Sequence, residues 1–389
     1  GYQALWSNTT GSQNTASGTE ALYSNTTGFA NIASGWQALY SNTTGFYNTA
    51  TGRGALYNNT TGCCNTASGY NTLFYNTTGA ANTASGYQAL RKNTTGYDNT
   101  ASGYTALQSN TTGYRNIATG REALYNNTTG SLNTASGNYA LFSNTTGTKN
   151  IASGYKALYS NTSGHYNTAS GTEALTSNTT GNENTATGYF SLKFNTTGHS
   201  NTASGYSALR QSTTAIQNSA FGHLSLFNNT TGTGNTASGY RSLQVNTTGY
   251  SNTASGFQVL YSNTTGASNV AVGYEALYGN TSGHNSVAVG RGALKSQTTT
   301  YENTAVGYNA GTTVTNGNNA LFGAYAGTSL TSGGTNCFYG WSAGRLSTTS
   351  SSNTAFGYQS LYSNTTGTKN IALGNTAGDA ITTGSNNTI

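Results

Sequence analysis

The chain has 389 residues, of which 6% are charged, with a net charge of +6, 52 Gly, 29 Tyr, and neither Pro nor Met. Scarce charge with abundant aromatics argues against disorder, and no apolar run reaches the roughly 20 residues of a membrane helix. The basic residues are scattered, Arg91–Lys92 being the one adjacent pair, so no basic stripe of the kind that grips nucleic acid forms. No nucleic-acid partner, cofactor or membrane contact is expected of this segment. There is no signal-peptide pattern. The missing initial Met and the ending on "NNTI", part-way through a motif, suggest a piece of a longer protein.

Glycines recur every seventeen residues from Gly1 through Gly18, Gly35 and Gly52 to Gly307. One step of sixteen leads to Gly323, and Gly340, Gly357 and Gly374 resume the period, giving 23 units with the last incomplete. With this Gly as position 1, the unit reads G-Y-x-A-L-Y-S-N-T-T-G-x-x-N-T-A-S. Such a register is the mark of a repeat architecture.

In chain order within a unit, "YQALY" at positions 2–6 has the length of a short strand. "NTTG" at positions 8–11 is turn chemistry. "NTASG", from position 14 into the next Gly, reads as a second short strand. Two Gly and the β-branched Thr disfavour helix. The unit therefore predicts two strands and one turn, and it is too small to bury a face without stacked neighbours. The expected fold is all-β: a solenoid of about 23 stacked 17-residue coils. At the strand spacing of roughly 4.8 Å it would run on the order of 110 Å.

Leu holds position 5 without a break from Leu5 through Leu22, Leu39 and Leu90 to Leu294, and Ala holds position 16 from Ala16 through Ala84 to Ala305. These are the candidate core. Asn14, Asn82, Asn235 and Asn370 share position 14, where Ser286 is the one substitute. In stacked coils such residues form a hydrogen-bonded amide ladder. Small residues at position 4 alternate with Leu in an extended strand, which predicts a second covered face lying against another chain. Residues 1–306 are the regular Leu-type coils, and 307–389 are variant coils that bring Gly to the Leu position at Gly311, Gly327, Gly344 and Gly378. The change marks a sub-segment, not a separate domain.

The motif sharpens in "NVAVGYEAL" (269–277), "NSVAVGRGAL" (285–294), "NTAVGYNAG" (303–311) and "NIALGNTAG" (370–378). These stretches resemble the head repeats of trimeric autotransporter adhesins (YadA-like heads), and similar repeats occur in phage tail-fibre-like proteins. The resemblance implies a left-handed parallel β-roll in each chain, three identical chains side by side, and a rod projecting from a cell surface toward host material. Most coils replace the family's apolar pair around Ala by Thr and Ser, as at Thr83 and Ser85, which predicts a poorer core per coil.

No catalytic or metal-binding constellation is legible. The eight acidic residues and four His mostly occupy variable positions and are dispersed along the coils, whereas acid–base chemistry and metal binding need convergent groups. Cys63, Cys64 and Cys337 form no disulfide framework. Every NTT or NTS is a formal N-glycosylation acceptor, as at Asn8, Asn25, Asn42, Asn93 and Asn364. An ice-binding Thr array is disfavoured because Thr9 and Thr10 are adjacent and would point to opposite faces. The sequence thus points to a non-enzymatic extracellular fibre or adhesin rod made of identical chains, binding a host surface or matrix component. A self-assembling structural filament and a phage tail-fibre segment are the alternatives, and an ice-binding solenoid a minor one.

Overall fold

A computed structural model describes residues Gly1–Ile389. It contains no helix, and so none long and apolar enough to cross a membrane. The chain divides into two compact units, Gly1–Thr197 and Gly198–Ile389. Both are all-β solenoids of parallel coils. The first carries β1 (Thr15–Ser17) to β11 (Thr185–Thr187), and the second β12 (Thr202–Ser204) to β22 (Ile371–Leu373), one three-residue strand per coil.

Within each unit the strands pair in parallel with a shift of one repeat, so that Thr15 faces Ile32, Ala16 faces Ala33 and Ser17 faces Ser34. The sixteen-residue step is absorbed without a break, because Thr304 pairs with Ala320 and Val306 with Phe322. The change of composition at 306/307 therefore lies inside the second unit, across continuous strand pairing. The last sequence unit adds only a bridge between Ile371 and Thr388.

The strand predicted at positions 2–6 is absent, and the one predicted at position 14 onward is present. Positions 2–6 form a turn in which positions 3 and 5 take left-handed backbone, as at Gln88 (φ 54°) and Leu90 (φ 51°). This segment is nevertheless bonded in both directions: Leu22 N–H donates to the Ala38 carbonyl of the next coil at 3.0 Å, and Glu20 N–H to the Tyr2 carbonyl of the preceding one at 2.8 Å. Left-handed residues spaced by one break the strict alternation of a strand. Ala at position 4 and Leu at position 5 consequently both turn inward, and Ala89 and Leu90 are fully buried within one chain. The expectation that another chain covers position 4 is corrected accordingly.

The core is a column of Leu, two columns of Ala and two of Asn. Leu22, Leu39, Leu90, Leu294, Ala84 and Ala305 are buried, while Leu5 and Ala16 in the first coil are half-buried. Burying each Leu contributes about 1.5–3 kcal/mol, against about 1–2 kcal/mol for its left-handed backbone. A second correction concerns Thr83 and Ser85. In β5 (Thr83–Ser85) they face outward on either side of buried Ala84, so they change the outer surface and leave the core intact.

Two glycine columns are set by close approach of coils. A Cβ on Gly96, at position 11, would lie 2.4 Å from both the Asn93 Oδ1 and the Gly113 carbonyl. At position 1, Gly86 has φ +131°, and a Cβ there would meet the Gly103 carbonyl at 2.4 Å.

Candidate functional site

The polar interior holds two amide ladders where one was expected. At position 14, Asn82 Nδ2 donates to the Gly96 carbonyl (2.9 Å) and to the Asn65 Oδ1 (3.1 Å), and its own Oδ1 accepts from the Asn99 backbone N–H (3.1 Å). Asn235 and Asn370 are buried in the same way, with Asn14 half-buried at the first coil. The second ladder is at position 8. Asn93 Nδ2 donates to the Asn76 Oδ1 (2.7 Å) and to the Gly96 carbonyl (2.9 Å), and its Oδ1 accepts from Asn110 Nδ2 (2.7 Å). The Gly96 carbonyl thus receives both ladders.

The formal glycan acceptors named from the sequence are the members of this second ladder. Asn25, Asn42, Asn93 and Asn364 are fully buried and Asn8 is half-buried. In Asn42 both Nδ2 hydrogens are spent, on the Asn25 Oδ1 (2.8 Å) and the Gly45 carbonyl (3.0 Å). A sugar on that nitrogen would remove a ladder bond and force bulk into the space between coils. The sequence carried a signal for this second ladder: Asn gives way there to polar Ser212, Gln297 and Ser347, and Gln297 stands one coil after the one break in the other ladder, Ser286. Gln297 Nε2 reaches the Ser286 Oγ at 3.0 Å, and its Oε1 accepts from Asn303 Nδ2 at 3.0 Å. The longer amide fills the gap that the shorter Ser leaves.

Beside the ladders, the N–H groups of Thr26, Thr27 and Gly28 converge on the Thr43 carbonyl at 3.0–3.2 Å, and the Thr26 hydroxyl adds a fourth donor at 3.1 Å. The Thr of position 9 is thereby fixed to the backbone of the next coil. Thr9 itself is bonded to Thr26 in the same manner.

The outer surface is arranged in columns. At position 6, Tyr23, Tyr40, Tyr57 and Phe74 stack with ring centres 4.9–5.0 Å apart. At position 2 of the second unit the stack runs Tyr206, His223, Tyr240, Phe257 and Tyr274 at 5.0–5.3 Å, continued by the Arg291 guanidinium between Tyr274 and Tyr308. In the first unit Arg53 sits between Trp36 and Tyr70 in the same column. Such distances are favourable for aromatic and cation–π contact. Burial in the stack pushes the Tyr40 hydroxyl above its ordinary pKa.

The charged and sulfur residues do not converge. No three His, Cys, Asp or Glu lie close enough together to hold a metal ion. Lys193 pairs with Glu173 (2.6 Å) and Lys295 with Glu275 (2.7 Å), each joining position 6 of one coil to position 3 of the coil before. Cys63, Cys64 and Cys337 are free. Desolvation, followed by the hydrogen bond with Cys64, raises the Cys63 thiol pKa.

The strand faces differ along the chain. From β3 (Thr49–Thr51) to β6 (Thr100–Ser102) the outward residues are all Thr or Ser, two apart on one face. From β16 (Val270–Val272) to β22 they become mainly apolar: Val270, Val272, Val287, Val289, Val306, Phe322 and Tyr339, then Phe356, Ile371 and Leu373 at 56%, 50% and 70% exposure. In comparison with known proteins, no family model matches the chain, and no curated protein matches it.

Proposed function

We propose that this chain is a non-enzymatic fibre segment, the rod or head of an extracellular, surface-attached adhesin, built from identical chains and presenting a repetitive binding surface. One contrast carries the reading: the inner columns are nearly invariant, while the side chains at positions 2, 3, 6, 12 and 13 vary on a backbone of constant geometry. A stacked scaffold of this kind holds many weak contacts in register, and multivalency turns them into avidity.

The apolar strand face from β16 to β22 supports association with further copies of the chain, since exposed patches of this kind commonly mark interaction sites. Light scattering and electron microscopy of the purified chain test the reading. The expected particles are discrete homo-oligomers, trimers on the adhesin model. A double variant Val272→Lys/Phe356→Lys should shift them to monomer without loss of the β signature. Indefinite polymers would favour a structural filament, and a monomeric parent chain would remove the oligomeric rod.

The minor reading, ice binding, gains one observation. The same-face hydroxyl pairs it requires are Thr66/Ser68 and Thr83/Ser85, not Thr9/Thr10. Thermal hysteresis in a solution of the chain would support it, and its absence would end it.

A further inference from the structure

The first unit carries an open groove of about 690 Å³ that crosses four coils along positions 7 and 9. Its floor is the Thr column. The hydroxyls of Thr60, Thr77 and Thr94 already donate to the carbonyls of Thr77, Thr94 and Thr111 at 3.0–3.2 Å, so toward the groove they can only accept. Asn58 Oδ1 adds an acceptor, with one Nδ2 hydrogen held by the Phe74 carbonyl at 3.0 Å. One end of the groove is cationic: Arg91 and Lys92 lie there, with the guanidinium 5.3 Å from the centre of the Tyr75 ring. The Nε of Arg91 is shielded from solvent and has no partner. No Asp or Glu occurs anywhere between residues 21 and 97, so no nearby carboxylate in that stretch neutralises the pair.

The ligand that fits must bring hydroxyl or amide donors for the Thr row, an anion for Arg91 and Lys92, and an apolar face for Tyr75. Acceptors recur once per coil, roughly 4.8 Å apart, whereas an extended peptide presents amide donors along one edge only every roughly 6.8 Å. Sugar hydroxyls are denser, and the C–H face of a pyranose lies flat on an aromatic ring. We infer that this groove binds an acidic oligosaccharide, with its carboxylate or sulfate on Arg91 and Lys92 and its hydroxyls on the Thr column. The inference rests on the adhesin reading and names the ligand class of that surface.

The test is titration calorimetry of the whole chain with an oligogalacturonate and a heparin hexasaccharide, against neutral cellohexaose and a poly-glutamate peptide. At least one of the two acidic sugars should bind in preference to the neutral sugar and the peptide, and salt should weaken it. An Arg91→Gln/Lys92→Gln variant should lose on the order of tenfold in affinity, as expected for charge-assisted hydrogen bonds. A charge-matched Arg115→Gln/Arg121→Gln control should bind like the parent. Equal losses in both variants would reduce the effect to net charge, and peptide binding as tight as sugar binding would replace the ligand class. Neutral sugar binding as well as acidic sugar, or no sugar binding at all, would also overturn the inference. The oligomer measurements above are independent of these arms, so a chain that assembles but ignores sugars removes only this site. Uronate binding without heparin binding, or the reverse, identifies which acid the pair takes.

Discussion

The regular coils of the first unit and the variant coils around residues 323–345 of the second each fill a coil interior of the same size, from opposite walls. In the first, Leu90 projects from position 5 toward a small Ala84 at position 16, and both are buried. In the second, Gly327 and Gly344 hold position 5, and Leu321 and Phe338 hold position 16, again buried. The backbone at position 5 is left-handed in both, with φ 51° at Leu90 and 56° at Gly344. A Cβ on Gly344 would lie 2.3 Å from the Phe338 ring, so the large side chain occupies the room that Leu holds elsewhere. Conserved volume and conserved backbone, not conserved residue identity, define the coil, as expected of an interior packed to crystal-like density.

Breaking the exchange on one side should have the largest effect. Phe338→Ala removes the largest fully buried side chain of the molecule, with an expected cost of about 3–5 kcal/mol, read by denaturant unfolding or by hydrogen exchange of the neighbouring strands. Adding Gly344→Leu to that variant rebuilds the regular pattern. The pair should then be less destabilised than the sum of its singles by about 0.5–3 kcal/mol, and strict additivity would refute the volume exchange.

The position-8 ladder sharpens the comparison further. Variant coils place Val314 and Leu330 there, both buried, where regular coils place Asn. Asn93→Leu copies that chemistry into a coil whose Leu90 already fills the core. It takes the Asn76 Oδ1's donor away, leaves Asn110 Nδ2 with the Gly113 carbonyl as its one acceptor, and leaves the Gly96 carbonyl with one donor fewer. The expected loss is about 1–3 kcal/mol for the orphaned group, measured as a lower denaturation midpoint; unchanged stability would mean that this ladder is ornamental. The smallest effect lies in the backbone itself. Leu90→Gly and Leu90→Ala remove the same contacts, but only Gly is unstrained at φ 51°. In an ordinary helix or strand Gly is the worse choice by roughly 0.5–1 kcal/mol. Here Leu90→Gly should be equal to Leu90→Ala or better by up to about 1 kcal/mol, and a clear advantage for Ala would contradict the left-handed assignment.

The repeat alone determined the solenoid class, the Leu and Ala columns and the position-14 ladder, because stacking equivalent residues forces each inner column to keep one chemistry. Propensity could not reveal that "YQALY" is a turn. Leu is an ordinary helix or strand residue, and its left-handed backbone exists only because bonds to the coils above and below hold it there. The same limit hid the second ladder: Asn and Thr in "NTTG" satisfy turn chemistry and a glycan acceptor equally well, and burial alone distinguishes them from a buried amide column. It also misplaced Thr83 and Ser85, since which side of a three-residue strand faces inward is settled by the turn before it. Sequence periodicity fixes what recurs at each level of the stack, and tertiary packing decides which way each recurring side chain points.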